Sequence, residues 1–358
     1  MAERKRQHYV PQFYLRNFSE SGQSIGMFRF NNQKFIENAS IKEVAYRDYL
    51  YGKDGEAEKL LSQMEALWSQ AIRALFSDNL LDNDIAELYY RSLELFIMVS
   101  ITRTAKYADE SLTFLNYFKD MFDEIKKNGH KLAIDEADVH RSIEAPNIAA
   151  IKMSLELSKY LYNLTPALLV NISNRGFFTS DNPVVEYNQF YAYRKYDRNY
   201  GISAAGLQIF LPITSDIVFC LYDNEVYDFI EKDNIVVIKS GSVINEINKL
   251  IIENSYEQIF FFNSEKESYV KSMSKYKDYN RNPLIEEYPI EGSNNTLLWY
   301  GKNSIRTLFK LPFFKINKEY ISIPLPNHMG GLMRKTSKEL DSESRKKHPL
   351  RSFKIIEE

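Results

Sequence analysis

The spacing of apolar residues changes near Thr165, and this change limits the fold more than any other feature of the chain. Between residues 53 and 164, apolar residues recur at steps of three and four, which is typical of amphipathic helices. After Thr165, short apolar runs are separated by turn residues, which is typical of strands. The sequence therefore predicts an α+β fold in which a helical bundle is inserted between the segments of a sheet.

The helical part of the sequence predicts four helices. The second is apolar on nearly all sides around Leu93 and should lie at the centre of the bundle. Asp82 or Asp84 can cap its start, and Asn128 with Gly129 breaks the chain after the third helix. The predicted helices cover residues 56–76, 82 or 84 to about 107, about 110–127 and 135–163.

Strands are predicted on both sides of the bundle. A hairpin is expected over residues 25–36, followed by an extended segment at 46–51. The second half of the chain predicts one helix at 242–255 and strands at 167–172, 177–178, 184–185, 208–212, 217–222, 235–238 and 258–262. We expect a mixed or antiparallel sheet packed on the bundle. Residues 1–300 would then form one domain, made of N-terminal strands (1–52), the bundle (53–164) and the sheet with its helix (165–300).

A basic C-terminal extension follows that domain. Residues 300–358 contain 13 Lys and Arg against 6 Asp and Glu, a net charge of +7, whereas the whole chain has a net charge of −2. Residues 1–299 therefore have a net charge of −9. A basic tract can follow a phosphate backbone, but for residues 334–358 a solvated, partly disordered tail is the favoured interpretation. We therefore treat residues 301–358 as an extension with extended segments.

Several classes of protein are disfavoured by the sequence. Cys220 is the only cysteine, so an intrachain disulfide or a cysteine-based metal cluster is excluded. The sequence lacks the phosphate-binding, dinucleotide-binding, zinc-protease and serine-hydrolase motifs. Its apolar runs are too short or too interrupted to cross a membrane, and no signal peptide is evident. These observations predict a soluble cytoplasmic protein with no membrane partner and no certain cofactor, although a divalent metal remains possible.

The opening segment, residues 7–18, combines polar and aromatic residues in a way that suggests a buried segment. His8, Gln12, Arg16 and Asn17 are interleaved with aromatic side chains that favour burial. An imidazole titrates near neutral pH, so His8 suits general acid–base catalysis, and Gln12 could orient its ring or a ligand. The alternative is that His8 is a core histidine bonded to the backbone.

Two glutamates on the first long helix form a second candidate group. Glu58 and Glu65 are two helical turns apart and share one face, whose other residues belong to the buried side. A carboxylate there needs a partner, and Arg103 at the end of the apolar second helix is the obvious one. One interpretation is a structural ion pair that clamps the helices. The other is a site in which glutamate polarises water and the guanidinium holds a phosphate.

A turn between two strands forms the third candidate group. Ser180, Asp181 and Asn182 place a hydroxyl, a carboxylate and an amide on one corner, where Asp181 could be a base or a metal ligand. The same residue types are common in turns because their side chains bond back to the backbone. The corner therefore has both a structural and a functional interpretation. Among the remaining histidines, His140 lies in polar surroundings and is expected to be exposed.

The chain resembles the bacterial family known as domain of unknown function 4238. The resemblance rests on the opening HYVPQFYLRNF of residues 8–18, the two spaced glutamates, the apolar helix ending in Arg103, and the corner TSDNPV of residues 179–184. It covers about residues 5–265. The resemblance implies that His8, Gln12, Arg16, Glu58, Glu65, Arg103, Ser180 and Asp181 converge on one pocket, and that the protein takes part in defence against phage, with a phage-encoded trigger as a possible partner.

Three hypotheses about function follow. The first is an antiviral nuclease in which His8 acts as general acid or base, Glu65 or Asp181 is its counterpart, and Arg103 and Arg16 hold phosphate. RNA is slightly favoured over DNA because its 2′-hydroxyl is an internal nucleophile that needs no metal. Gln12, Asn17, Glu58, Ser180 and Asn182 would bind the substrate. The second is a hydrolase or transferase acting on a nucleotide such as NAD. The third is a sensor or binding protein without enzymatic activity.

Overall fold

A computed structural model gives the fold of the chain. It describes residues 5–75, 83–127, 136–195, 201–229, 234–279, 284–289, 296–301, 305, 307–325 and 332–334. Most of the basic C-terminal tract, including residues 335–358, therefore lies outside the described residues. Among the residues that the structure describes, no helix combines the length and apolar character needed to cross a bilayer.

Helices form the middle of the chain and alternate with strands in its second half. The first short helix, α1 (Gln12–Leu15), continues into a 3-10 turn at Arg16–Phe18. The remaining helices are α2 (Glu56–Ala74), α3 (Asn83–Thr102), α4 (Ala105–Lys127), α5 (Glu136–Glu144), α6 (Pro146–Leu157), α7 (Gln189–Tyr193), α8 (Gly241–Asn254), α9 (Glu267–Ser274) and α10 (Lys318–Ile321). Helix α3 packs between α2 and α6, so the predicted central helix is central.

Within the described part of the chain, the strands assemble into two larger sheets and three two-stranded ribbons. Their bounds are β1 (Arg6–His8), β2 (Ser24–Arg29), β3 (Lys34–Ser40), β4 (Tyr46–Asp48), β5 (Thr165–Asn171), β6 (Thr179–Ser180), β7 (Val185–Tyr187), β8 (Gln208–Pro212), β9 (Ile217–Tyr222), β10 (Tyr227–Phe229), β11 (Ile235–Ile238), β12 (Gln258–Phe261), β13 (Leu284–Pro289), β14 (Thr296–Gly301) and β15 (Phe314–Ile316). The five-stranded sheet has the order β11-β5-β9-β8-β7, and the four-stranded sheet has the order β3-β2-β12-β6.

The pairing of these strands confirms the predicted α+β class. The four-stranded sheet is antiparallel throughout and contains the predicted hairpin β2–β3. The five-stranded sheet is mixed, because β11 runs parallel to β5 while the other pairs are antiparallel. Strand β1 pairs with β4 in a separate antiparallel ribbon, which aligns His8 with Tyr46.

The helical segment breaks at two places where the sequence predicts continuous helices. The predicted second helix ends at Thr102, and the hydroxyl of Thr104 then accepts a bond from the Tyr107 amide at 3.2 Å to begin α4. The amide of Asn147 donates to the carbonyls of Thr102 and Thr104 at 2.7 and 3.1 Å, which stabilises the break. The predicted fourth helix is split into α5 and α6 at Pro146, which cannot donate a helical hydrogen bond.

Two cores hold the elements together. One lies between the bundle and one face of the sheets and contains Trp68, Phe96 and Leu211. The other lies on the opposite side and contains Phe178 and Phe261. Burial of this much apolar surface is the main source of stability in such folds.

Part of the predicted C-terminal extension belongs to the second core. Phe309, Leu311, Phe313 and Phe314 are all buried there, and β15 pairs with β10. The Arg334 guanidinium donates to the carbonyls of Tyr160, Ile202 and Ala204 at 2.6–3.2 Å, and anchors the segment 332–334. Ile305 and residues 307–325 therefore pack as part of the body of the protein.

Candidate functional site

The N-terminal segment is fixed inside the fold. Val10, Tyr14, Leu15 and Phe18 have no exposed surface. The Tyr14 hydroxyl donates to the Pro212 carbonyl at 2.6 Å and lies 2.7 Å from the Thr179 hydroxyl. This burial confirms the prediction that the opening is a packed segment. The polar residues of the same segment, described below, are therefore held on a buried backbone.

Arg103 is the centre of a polar cluster that joins three distant parts of the chain. Its Nη2 donates to the carbonyl oxygen of His8 and to Oε1 of Glu65, each at 2.9 Å. The helix break after Thr102 places this side chain at the end of α3, where it turns inward and is only 1% exposed. Its Nη1 atom is buried and has no hydrogen-bond partner among the described residues. A buried guanidinium with an unused donor is costly, so it calls for an explanation.

Tyr51 and Gln7 hold Arg103 in place. The Tyr51 hydroxyl donates to the carbonyl of Arg103 at 2.9 Å and lies 3.4 Å from its Nε. The side-chain amide of Gln7 bonds the backbone of two adjacent residues. Its oxygen accepts from the Tyr51 N–H at 2.6 Å, and its nitrogen donates to the Gly52 carbonyl at 3.0 Å. All three side chains are buried.

The charges around Tyr51 define the electrostatics of the cluster. Burial opposes the charge of Arg103, but the neighbouring Tyr51 and Glu65 outweigh it and raise the Arg103 pKa above its ordinary value. Burial raises the pKa of Tyr51 to about 12; the charge of Arg103 opposes this shift, and the nearby carboxylates of Glu58 and Glu65 add to it. Arg103 is therefore cationic and Tyr51 neutral at physiological pH. Both glutamates lie close enough to act on the same hydroxyl, as their helical spacing predicts.

His8 lies at the mouth of the cluster, half-buried, with Gln12 and Arg16 beside it. Burial lowers the pKa of His8, and the charges of Arg103 and Arg16 lower it further, against a hydrogen bond to the Lys42 backbone. His8 is therefore neutral at pH 7, with a lone pair on the ring nitrogen that carries no proton. The Gln12 Nε2 is 3.3 and 3.4 Å from the two ring nitrogens, so this amide lies across the ring face. The exposed Arg16 guanidinium donates to the side-chain oxygen (Oε1) of Gln12 at 3.0 Å.

The structure thus brings together six of the predicted residues. The members of this polar cluster, which we call the Arg103 cluster, are His8, Gln12, Arg16, Glu58, Glu65 and Arg103. Asn17 follows on the 3-10 turn, and its Nδ2 is buried without a hydrogen-bond partner among the described residues. The cluster has a neutral base, exposed or half-buried polar groups and a buried cation behind them. This arrangement can remove a proton and attract an anion.

The Ser-Asp-Asn corner is engaged elsewhere. Both carboxylate oxygens of Asp181 accept backbone N–H bonds, from Tyr256 at 2.8 Å, Glu257 at 2.7 Å and Gln258 at 3.0 Å. Asp181 is 1% exposed, and burial raises its pKa to about 6 despite these donors. Its carboxylate therefore holds the backbone before β12, as the structural interpretation of the turn requires.

Ser180 and Asn182 also bond within the fold. The Ser180 hydroxyl donates to the Asn182 carbonyl at 2.8 Å, and the Asn182 amide donates to the Asn254 carbonyl at 3.0 Å. Among the described residues, no hydrogen bond of Ser180, Asp181 or Asn182 reaches the Arg103 cluster. The corner predicted as one side of a shared pocket is, in its contacts, a separate structural element.

Two members of the arrangement are absent from the sequence-based prediction. Gln7 and Tyr51 have no motif, and their bonds are to the backbone of other segments. The only signal for Gln7 is its position within the opening segment, where a polar residue precedes His8. Within the described residues, no group of three or more His, Cys, Asp or Glu side chains is arranged to hold a metal ion.

Comparison with known proteins gives one significant match, which is to a family model. The family model "Protein of unknown function (DUF4238)" matches residues 6–265. The chain belongs to this family. No curated protein and no solved structure matches it significantly.

The DUF4238 match covers both the site and its supports. The whole Arg103 cluster and the Ser-Asp-Asn corner lie within the matched residues. The segment 307–325, which completes the second core, lies beyond them. The features that build the candidate site of this DUF4238 protein are therefore within the family region, whereas its C-terminal packing is added outside that region.

Proposed function

We propose that the protein is a cytoplasmic hydrolase that cleaves a phosphodiester, with single-stranded RNA as the favoured substrate. The observation that carries this proposal is the contact of one nitrogen of Arg103 with both the backbone carbonyl of His8 and the Glu65 carboxylate, at 2.9 Å each. This contact holds the residue that bears the neutral imidazole next to a buried cation, and a base near positive potential is what acid–base catalysis on a phosphate needs.

The proposed reaction assigns a role to each member of the cluster. His8 removes the proton of the ribose 2′-hydroxyl, the 2′-oxygen forms a bond to phosphorus, and the bond from phosphorus to the 5′-oxygen breaks. The leaving 5′-oxygen takes up a proton from water, and the Glu65 carboxylate keeps Arg103 in place through their ion pair. The lowered His8 pKa keeps the imidazole in its basic form at neutral pH. Activity should therefore fall only when the pH drops through a value below 6.5.

The two arginines have different roles in this proposal. Arg16 is exposed and can contact a phosphate oxygen directly. Arg103 is buried, so it acts from behind by fixing the His8 backbone and Glu65 and by adding positive potential. Asp181 has no role in the reaction, because both of its oxygens are occupied by backbone N–H donors.

A cleavage assay tests the proposal. Purified protein is incubated with labelled single-stranded RNA and with the same sequence as DNA, in EDTA and in magnesium. We expect RNA cleavage by the wild type, a loss of at least about 100-fold in His8→Ala, in line with general acid–base contributions, and full activity in His140→Ala. His140 is an exposed histidine on α5 and serves as the matched control. Absence of cleavage of either nucleic acid under both conditions would refute the proposal.

The place of this activity in defence against phage rests on the family resemblance, not on geometry. We expect cells that produce the wild type to resist phage and cells that produce His8→Ala to be as sensitive as cells without the protein. Protection that is unchanged in a folded His8→Ala protein would favour a sensor without enzymatic activity. In that case the Arg103–Glu65 pair is only a structural clamp between α2 and α3.

A further inference from the structure

A polar groove lies directly beside the Arg103 cluster and has no role in the reaction proposed above. It is formed between the β1–β4 ribbon and the adjoining ends of β2 and β12, and encloses about 690 Å³. This volume is in the range of sites that bind small organic ligands or a few linked residues of a polymer. Lys5, Arg6, Arg29, Tyr46 and Arg47 are among the residues that line it.

Tyr46 connects the groove to the candidate site. It is the register partner of His8, and the two rings are 5.7 Å apart. The guanidinium of Arg6 lies 4.9 Å from the centre of the Tyr46 ring. Alternate residues of a strand share one face, so Arg6 in the groove and His8 in the cluster lie about 7 Å apart along β1. That distance is comparable to the reach of one nucleotide along an extended strand.

The cations of the groove differ in how firmly they are held. Arg47 makes a two-point contact with Asp109, at 2.7 Å for each bond, and the Tyr256 hydroxyl donates to the same carboxylate at 2.7 Å. Arg47 is thus a structural part of the wall. Arg29 is exposed, and its side chain has no ion pair or hydrogen bond among the described residues.

Two further cations at the rim are paired with carboxylates that a phosphate can replace. Lys5 contacts Asp48 at 3.1 Å and Arg6 contacts Glu43 at 2.7 Å, with all four side chains about half exposed. Exposed ion pairs contribute little to stability, so a phosphate can replace the carboxylate at small cost. If Arg6 turns towards a phosphate, it also uncovers the face of Tyr46, on which a base can stack.

The overall charge of the groove limits the kind of ligand. Its lining has four cations and three carboxylates, namely Glu43, Asp48 and Glu257, and Asp109 already pairs with Arg47 from outside the lining, so the groove is close to neutral overall. Such a surface does not suit a rigid duplex with its dense phosphates. It suits a short single strand that makes two or three phosphate contacts and adds base stacking and hydrogen bonds. The side chains of Asn31 and Gln258 in the lining can supply such bonds.

We propose that this groove binds the single-stranded RNA segment that flanks the scissile phosphate, with Arg29 contacting a phosphate and Tyr46 stacking on a base. This inference rests on the proposed nuclease function and names the part of the protein that recognises its substrate. It predicts that two or three phosphates are neutralised on binding. The logarithm of affinity should then fall with the logarithm of salt concentration with a slope of about −1.4 to −2.1.

The test uses a fluorescein-labelled 12-nucleotide single-stranded RNA and the full chain carrying His8→Ala, which allows binding to be measured without cleavage. In this background we expect Arg29→Gln to weaken binding by about threefold to tenfold and to reduce the salt slope by about 0.7. Arg73→Gln is the matched control, because Arg73 is an exposed arginine of α2 that bonds only Ser69 in the structure as described. It should bind like its parent.

Steady-state cleavage separates this inference from the proposed function. With an otherwise wild-type chain, Arg29→Gln should raise KM for the 12-nucleotide RNA at nearly unchanged kcat, and leave cleavage of a dinucleotide unaffected. Unchanged binding and KM in both Arg29→Gln and a folded Tyr46→Leu would overturn the groove as a binding site, even if the wild type cleaves RNA. Weaker binding by these variants in a protein that cleaves nothing would retain the groove and overturn the proposed reaction.

Discussion

The buried carboxylate of Asp181 should make the protein less stable as the pH rises from 4 to 6. Burial raises its pKa from 3.8 to about 6, although three backbone N–H groups favour the ionised form. The folded state therefore binds this proton more tightly than the unfolded state. The resulting stabilisation is fully present below pH 3.8 and is lost as the pH rises through 6.

The size of this effect follows from the shift. Two pKa units correspond to about 3 kcal/mol in total, at about 1.4 kcal/mol per unit. Between pH 4.5 and 6.5, about 2 kcal/mol of this stabilisation should disappear from the free energy of unfolding. The variant Asp181→Asn has no such proton. Its amide also turns an N–H group towards a backbone donor, which should cost about 1–3 kcal/mol at pH 6.5.

Urea denaturation of the wild type and Asp181→Asn at several pH values measures the effect. We expect the stability difference between them to shrink by about 2 kcal/mol from pH 4.5 to pH 6.5. Asp216→Asn, which removes an exposed carboxylate, controls for the general effect of one lost charge. A difference that grows with pH would show that the three N–H donors outweigh burial, and would refute the reasoning. Folded Asp181→Asn should also keep its kcat, since the corner is structural.

Three further changes test the cluster and the C-terminal packing. Glu65→Gln leaves the buried Arg103 without its carboxylate. Since Glu65 is 27% exposed, we expect the free energy of unfolding in urea to fall by about 1–3 kcal/mol, less than for a fully buried pair. RNA cleavage should fall by a larger proportion. Tyr51→Phe removes the hydroxyl that bonds the Arg103 carbonyl and should cost about 1–3 kcal/mol and lower kcat more than it raises KM; an unchanged kcat would argue against positioning of Arg103 by this hydroxyl. Phe314→Ala should lower the free energy of unfolding by about 3–5 kcal/mol, whereas Leu308→Ala at a half-exposed neighbouring position should change it little. Equal effects of the two changes would contradict the assignment of residues 307–325 to the second core.

Local periodicity made much of the fold predictable, but tertiary contacts decided where its elements end. The hairpin β2–β3 and the helix α2 depend on spacings that the sequence displays directly. The break between α3 and α4 depends on Asn147, which binds two carbonyls from more than forty residues away. The sequence marks Arg103 as the end of the apolar stretch but has no helix-breaking residue there, so the helix is predicted to continue to about residue 107.

The same distinction applies to the candidate site. The helical spacing of Glu58 and Glu65 fixes their common face, and an apolar helix that ends in an arginine indicates where a partner is needed. The corner at Asp181 was ambiguous, because the residue types that line a site are those that build a turn. Only the partners of its hydrogen bonds, which are backbone groups of the fold, assign the corner to the structural role.

The position of Arg103 is hard to explain by stability alone. An apolar pair of similar volume would fill the space between α2 and α3 at equal or lower free energy, because burying two charges removes their hydration. The ion pair instead leaves one buried guanidinium donor without a partner in the described structure and keeps Glu65 partly exposed to solvent. Its remaining contacts fix the backbone of His8, whose ring centre lies 5.7 Å from that of Tyr46 in the groove wall. A charge that is costly to bury, held by Tyr51 and bonded to the backbone of a neutral histidine, is best explained by the chemistry that it supports.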